Sequence, residues 1–114
     1  MSNIIDDEQI SMLVEGAGAE AVRPILDAYW ISNEELSAEL GRGIEAGDPG
    51  SIAATAHGLK GSSANLGATK VADRAKEIEL AAKSGDLGKV AELFRSLPQD
   101  IEETKAAFEK VLAA

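Results

Sequence analysis

The sequence predicts an all-α fold, an up-down-up-down antiparallel four-helix bundle with a short N-terminal helix, and three observations lead there. Ala, Glu, Leu and Lys are abundant while β-branched and aromatic residues are sparse, a balance that favours helix over strand. Apolar residues recur at three- and four-residue spacing along most of the chain. The breaks between these runs are short and carry Gly and Asp, so consecutive helices should turn back on one another.

The elements follow in order. "DDEQISMLVEG" reads as a short helix over about residues 6–15, with Asp6 or Asp7 as N-cap and Gly16 near its end. It is expected to cap one end of the bundle, which spans about residues 19–113. From Ala19 to about Ala46, the residues Val22, Ile25, Leu26, Tyr29, Leu36, Leu40 and Ile44 form one stripe. Such a helix would be roughly 40 Å long at the usual rise per residue. Pro24 falls near its first turn, where proline is best tolerated. Trp30 lies at the stripe's edge and is expected to pack, under the N-terminal helix for instance, whereas Ile31 lies outside the stripe.

"GDPGS" supplies a stop and a turn. A third helix, from about Pro49 to Leu66, buries Ile52, Thr55, Ala56, Leu59 and Leu66, with Ser62 and Ser63 leaning toward the core and Asn65 placed to help cap its end. A fourth, from about Thr69 to Ser84, turns Val71, Ala75, Ile78 and Ala82 inward. The last begins near Asp86 or Leu87 and carries Val90, Phe94, Leu97, Ile101, Phe108 and Leu112; Pro98 within it is expected to kink it or split it.

Composition limits the functions available. A chain of 114 residues is read as a single domain, 1–114, with 45% hydrophobic residues to build one core. It has no cysteine, so neither a disulfide framework nor a thiolate metal site is available. A net charge of −9, with the basic residues scattered, argues against nucleic acid and against anionic membranes. The first residues show no signal-peptide pattern, and no stretch is long and apolar enough to span a membrane, so a cytoplasmic protein is expected. One histidine cannot build a di-metal centre, and "GLKGSS" is not a nucleotide-binding loop, because Lys60 precedes the glycine inside a helix.

That histidine, His57, sits in "TAHGLKGSSANLG". On a wheel of about 100° per residue its nearest neighbours are Gly50, Ala53, Ala54, Lys60, Gly61 and Ala64. It therefore stands on a solvent face cleared of bulk, with Lys60 the one charge beside it. A mid-helix glycine costs about 0.5–1 kcal/mol relative to alanine, so Gly61 is better explained by the close approach of another surface than by folding. Neutral imidazole is a nucleophile, and a nearby lysine can neutralise charge on a phosphoryl group. From these residues alone two readings stay open: an ordinary solvated histidine, and a site for passing a charged group between proteins.

"AHGLKGSSANLGA", Ala56 to Ala68, closely resembles the signature of histidine-containing phosphotransfer (HPt) domains, His-x-x-Lys-Gly followed by small residues and a Leu-Gly turn. The likeness extends to "AGD" before the third helix and "KEIELAAKSGD" after it. The resemblance implies that His57 accepts and donates the phosphoryl group through Nε2, that Lys60 pairs with the phosphoryl oxygens, and that Gly61 leaves room for the partner. It also places at Glu79 the residue that hydrogen-bonds the other ring nitrogen, and the wheel puts Glu79 about 80° from its helix's apolar centre, a boundary position. Glu77 should point elsewhere.

The implied function is that of a phosphorelay carrier in two-component signalling. Its partners would be response-regulator receiver domains and a hybrid or separate histidine kinase. The chain would be a monomer, would be no enzyme in its own right, and would hold no cofactor; Mg²⁺ would belong to the partner receiver. A helical adaptor that docks without being phosphorylated is the alternative function. A kinase-like dimerisation module is a further rival, disfavoured by four helices within one chain.

Overall fold

The computed structural model of the protein describes residues 4–113, and every regular element among them is helical. Five helices follow in order: α1 (Asp7–Ala17), α2 (Ala19–Ala46), α3 (Pro49–Asn65), α4 (Thr69–Lys83) and α5 (Leu87–Ala113). Their ends are set by local chemistry. Asp6 caps α1 and Asp48 caps α3, each side chain accepting from the backbone N–H three residues on, at 3.1 and 3.2 Å. Asp86 does the same for the start of α5, accepting from Lys89 N–H at 3.0 Å. Pro49 occupies the first turn of α3, where no N–H is missed. Gly47 ends α2 in the left-handed conformation, φ +62°, which a side chain would strain.

Two prolines are carried inside helices. Pro24 is the sixth residue of α2, in its second turn rather than its first. Pro98 lies within α5, and the helix runs through it without splitting. The lost hydrogen bond is tolerated because Leu93 and Leu97 before it, and Asp100, Thr104 and Phe108 after it, are buried and hold both halves against the other helices.

Each of α2–α5 packs on its neighbours in sequence, α2 also meets α5, and α1 lies against α2 and α5. The core between them contains Val22, Leu40, Ile52, Leu59, Ile78, Val90, Leu97 and Phe108. Ile25, expected in the stripe of α2, is 42% exposed, because it lies at the edge of that stripe. Conversely Asn33, Asp100 and Thr104 are buried, and as polar residues they interrupt the apolar periodicity that marks a core. Trp30 does pack, but against α5 rather than under α1. Its ring centroid is 4.7 Å from that of Tyr29 and 6.3 Å from that of Phe108, with Lys105 Nζ 5.2 Å from the indole centroid.

The N-terminal segment is tied to the α3–α4 turn. Asp6 N–H donates to Gly67 O at 2.7 Å, and Lys70 N–H donates to Ile4 O at 3.0 Å. Gly67 has φ +77°, and a Cβ there would lie 3.2 Å from Asp6 Cβ, so both its conformation and its contact require glycine. The end of α3 is closed by Gln9 Nε2, which donates to Asn65 O at 2.7 Å. The cap expected from the Asn65 side chain thus comes from α1 instead. No helix among the described residues is long and apolar enough to cross a membrane.

Candidate functional site

α3 presents two faces of opposite character. Ile52, Ala56, Leu59 and Ser63 are buried, while His57, Gly61 and Ala64 are exposed. The buried face is held in register by a polar chain to α2. The Tyr29 and Ser63 hydroxyls share a hydrogen bond of 2.6 Å, and Asn33 Nδ2 donates to the Tyr29 oxygen at 3.3 Å. Burial pushes the Tyr29 phenol above its ordinary pKa, so it stays protonated and able to donate. Ser62, half-buried, only donates back to Leu59 O at 3.3 Å.

His57 projects from the outer face with its side chain 67% exposed. Its Nδ1 is 3.0 Å from Glu79 Oε2, and Lys60 Nζ donates to Glu79 Oε1 at 2.9 Å. Glu79 reaches across from α4, and its side chain is only 6% exposed. The structure therefore brings His57, Lys60 and Glu79 into one hydrogen-bonded cluster. Glu77, two residues earlier on α4, is exposed and lies outside it.

The charge state of Glu79 decides what the cluster does to the imidazole. The hydrogen bond from Lys60 lowers its pKa most, those from Lys83 and His57 add to it, and burial opposes; the net is about 2 against an ordinary 4.5. Glu79 is consequently a carboxylate at any physiological pH, and a carboxylate only accepts hydrogen bonds. Nδ1 must then be the protonated ring nitrogen, which leaves the lone pair on Nε2, the nitrogen turned away from Glu79. The cluster yields an exposed, tautomerically fixed nucleophile with a cation beside it.

Lys83 belongs to the same cluster and was not singled out from the sequence. Its Nζ is 3.2 Å from Glu79 Oε2, the oxygen that also accepts from His57. The signal was available, because Lys83 lies four residues after Glu79 on one helix face, the spacing at which Glu and Lys meet.

Gly61 is exposed, and a Cβ built on it would have nothing within 4 Å. Nothing in the packing of this chain requires a glycine there, so the cost of a mid-helix glycine has no internal explanation. The site is open surface. A groove of about 1180 Å³ between α1 and the end of α5 is lined by neither His57 nor its partners. Among the described residues, no three His, Cys, Asp or Glu side chains gather as a metal site.

Comparisons with known proteins place the chain in a family. The Hpt domain family matches residues 24–107, nearly three quarters of the chain, and the match contains the whole cluster. The crystal structure of histidine-containing phosphotransfer protein B (HptB) from Pseudomonas aeruginosa PAO1 superposes with a TM-score of 0.87. It is 27% identical, and the alignment covers 99% of this chain and 97% of that one. No curated protein matches the chain. With a histidine exposed beside a lysine on a cleared helix face, and with the family match spanning that face, the chain belongs to the Hpt domain family.

Proposed function

We propose that this chain is a phosphorelay carrier in which His57 takes a phosphoryl group from the aspartyl phosphate of one receiver domain and passes it to the aspartate of another. Membership of the Hpt domain family supports a histidine phosphotransfer role. The observation that carries the assignment to His57 is the hydrogen bond between its Nδ1 and buried, ionised Glu79.

In the forward step the Nε2 lone pair attacks phosphorus, the N–P bond forms, and the P–O bond to the aspartyl carboxyl breaks. The electron pair leaves on the receiver's aspartate as carboxylate. The Nδ1 proton stays on the ring, so the phosphorylated imidazole is cationic and is balanced by Glu79. Lys60 neutralises charge on the phosphoryl oxygens, and Gly61 leaves space for the receiver to close over the ring. The reverse step retraces these changes.

The divalent cation that such transfer uses would be held by the receiver's own acidic residues as Mg²⁺, and this chain would need no cofactor. Upstream, a hybrid or separate histidine kinase would supply the phosphoryl group. The carrier is consumed and regenerated by its partners, so it is not an enzyme in the ordinary sense. We place it in the cytoplasm as a monomer, with α2–α5 running alternately up and down. Connections of two or three residues (Gly47–Asp48, Leu66–Ala68 and Ser84–Asp86) support that topology.

The test is incubation with a receiver domain carrying labelled phosphate. Wild type is expected to gain acid-labile label, and His57→Ala to gain none while keeping the helical content of wild type. Label on neither protein, or on both, overturns the carrier reading and leaves a docking adaptor or another acceptor residue.

A further inference from the structure

Glu79 has more partners than one imidazole requires. Oε1 accepts from Lys60, while Oε2 accepts from both His57 and Lys83. In this resting arrangement Lys60 Nζ lies 2.9 Å from the Glu79 carboxylate. Phosphoryl transfer brings a second anion onto the imidazole, and the two anions then compete for Lys60. A buried carboxylate that lost its main cation would tend to take up a proton, and a protonated Glu79 no longer fixes the ring tautomer.

We propose that Lys83 is a positioning residue that keeps Glu79 ionised and bonded to the Nδ1 proton while Lys60 turns to the phosphoryl group. The inference rests on the carrier reading of His57.

The arrangement around Lys83 favours such a role over a passive one. A Glu–Lys pair four residues apart is common on helix surfaces and by itself means little. Here, though, the carboxylate is 6% exposed and is already bonded across to another helix. The Lys83 side chain is 62% exposed, so packing does not explain where it sits. It lies in the last turn of α4, where the free carbonyls favour a cation. Lys60 and Lys83 approach different oxygens, so one can leave without dislodging the other.

The experiment compares wild type, Lys83→Met and Lys83→Arg in the full chain. A small-molecule phosphoramidate serves as donor, with the ¹⁵N shifts of the His57 ring recorded before and after loading. In the resting state all three proteins are expected to show the Nδ1–H tautomer, because Lys60 still holds Glu79. After loading, Lys83→Met is expected to lose the phosphoryl group about three- to fivefold faster, the range a partly exposed ion pair supports, with a weakened Nδ1–H signal. Lys83→Arg is expected to match wild type.

Loss rates and ring shifts in Lys83→Met that equal those of wild type overturn the role of Lys83 and leave the carrier reading intact. That role is overturned equally if Lys83→Arg behaves like Lys83→Met, or if Lys83→Met already shifts the resting tautomer. Wild type that takes no phosphoryl group at His57, from this donor or from a receiver, overturns the carrier reading and this inference with it.

Discussion

α4 carries a charged cluster on each flank, and the two are built differently. Toward α5, the buried carboxylate of Asp100 is gripped by the Arg74 guanidinium, with Nε at 2.6 Å and Nη2 at 3.3 Å. Lys70 adds a longer contact at 3.9 Å and also pairs with Glu103. Toward α3, the buried carboxylate of Glu79 is met by three separate donors, two of them mostly in solvent: His57 at 67% and Lys83 at 62%. A planar fork fixes both carboxylate oxygens at once and releases them together. Three donors on separate stems can leave one at a time. The first arrangement suits a fastener between helices, and the second suits a site whose partners change during a reaction.

The sharpest way to break this contrast is to remove Asp100. Its side chain is 2% exposed, so Asp100→Ala leaves Arg74 and Lys70 facing a space that held their counter-ion. The expected loss is about 3 kcal/mol of stability, measured by denaturant unfolding. Phosphoryl uptake by His57 in the folded fraction should stay at the wild-type rate. Reduced uptake with unchanged stability would mean that the two clusters are coupled through α4 and do not divide the work as their geometry suggests.

How much of this was legible in sequence depends on whether a residue's neighbours lie along its own helix or across to another. His57, Lys60 and Gly61 share one face of α3, so spacing alone gathered them. All five helices were legible because caps and apolar periodicity are local signals. Asp100 and Arg74 were missed for the opposite reason. Their partnership spans 26 positions and two helices, and a buried aspartate in an apolar stripe looks like a break in the pattern. Asn33 and Thr104 are buried polar groups hidden in the same way. The bond from Gln9 to the end of α3 spans 56 positions and had no local signal either. Lys83 had one, the four-residue spacing from Glu79, but that spacing gains weight only once Glu79 is seen to be buried.

A second contrast separates docking from chemistry on α3 itself, and Gly61→Gln probes it. The side chain would project from an exposed face with nothing of this chain within 4 Å of its Cβ, so the fold should be unaffected. Uptake from a phosphorylated receiver is expected to slow about tenfold, equivalent to about 1.4 kcal/mol of barrier, as a bulky group obstructs the approach of a second protein. Uptake from a small phosphoramidate should barely change. Equal slowing with both donors would locate the role of Gly61 in the chemistry of the imidazole rather than in clearance.

The smallest expected effect tests the charge state that sets the Glu79 cluster apart. Glu79 has its pKa lowered to about 2 from 4.5, chiefly by Lys60. A lowered carboxylate pKa means that the unfolded chain binds the proton more readily than the folded one. The resulting stability is fully present above about pH 4.5 and is lost as pH falls toward 2. Because His57 and Lys83 are well exposed, solvent screening reduces this contribution to about 1 kcal/mol. Glu79→Gln removes the titration but keeps an acceptor for Nδ1. Wild type is therefore expected to exceed Glu79→Gln by about that amount at neutral pH, with the gap closing between pH 4.5 and 2. Other carboxylates with lowered pKa, such as Glu103 and Glu109, titrate in both proteins and cancel in the comparison. A gap that persists unchanged below pH 2 would show that Glu79 acts through shape rather than charge. Its three donors would then be bystanders, and the distinction from the Arg74–Asp100 fastener would lose its electrostatic basis.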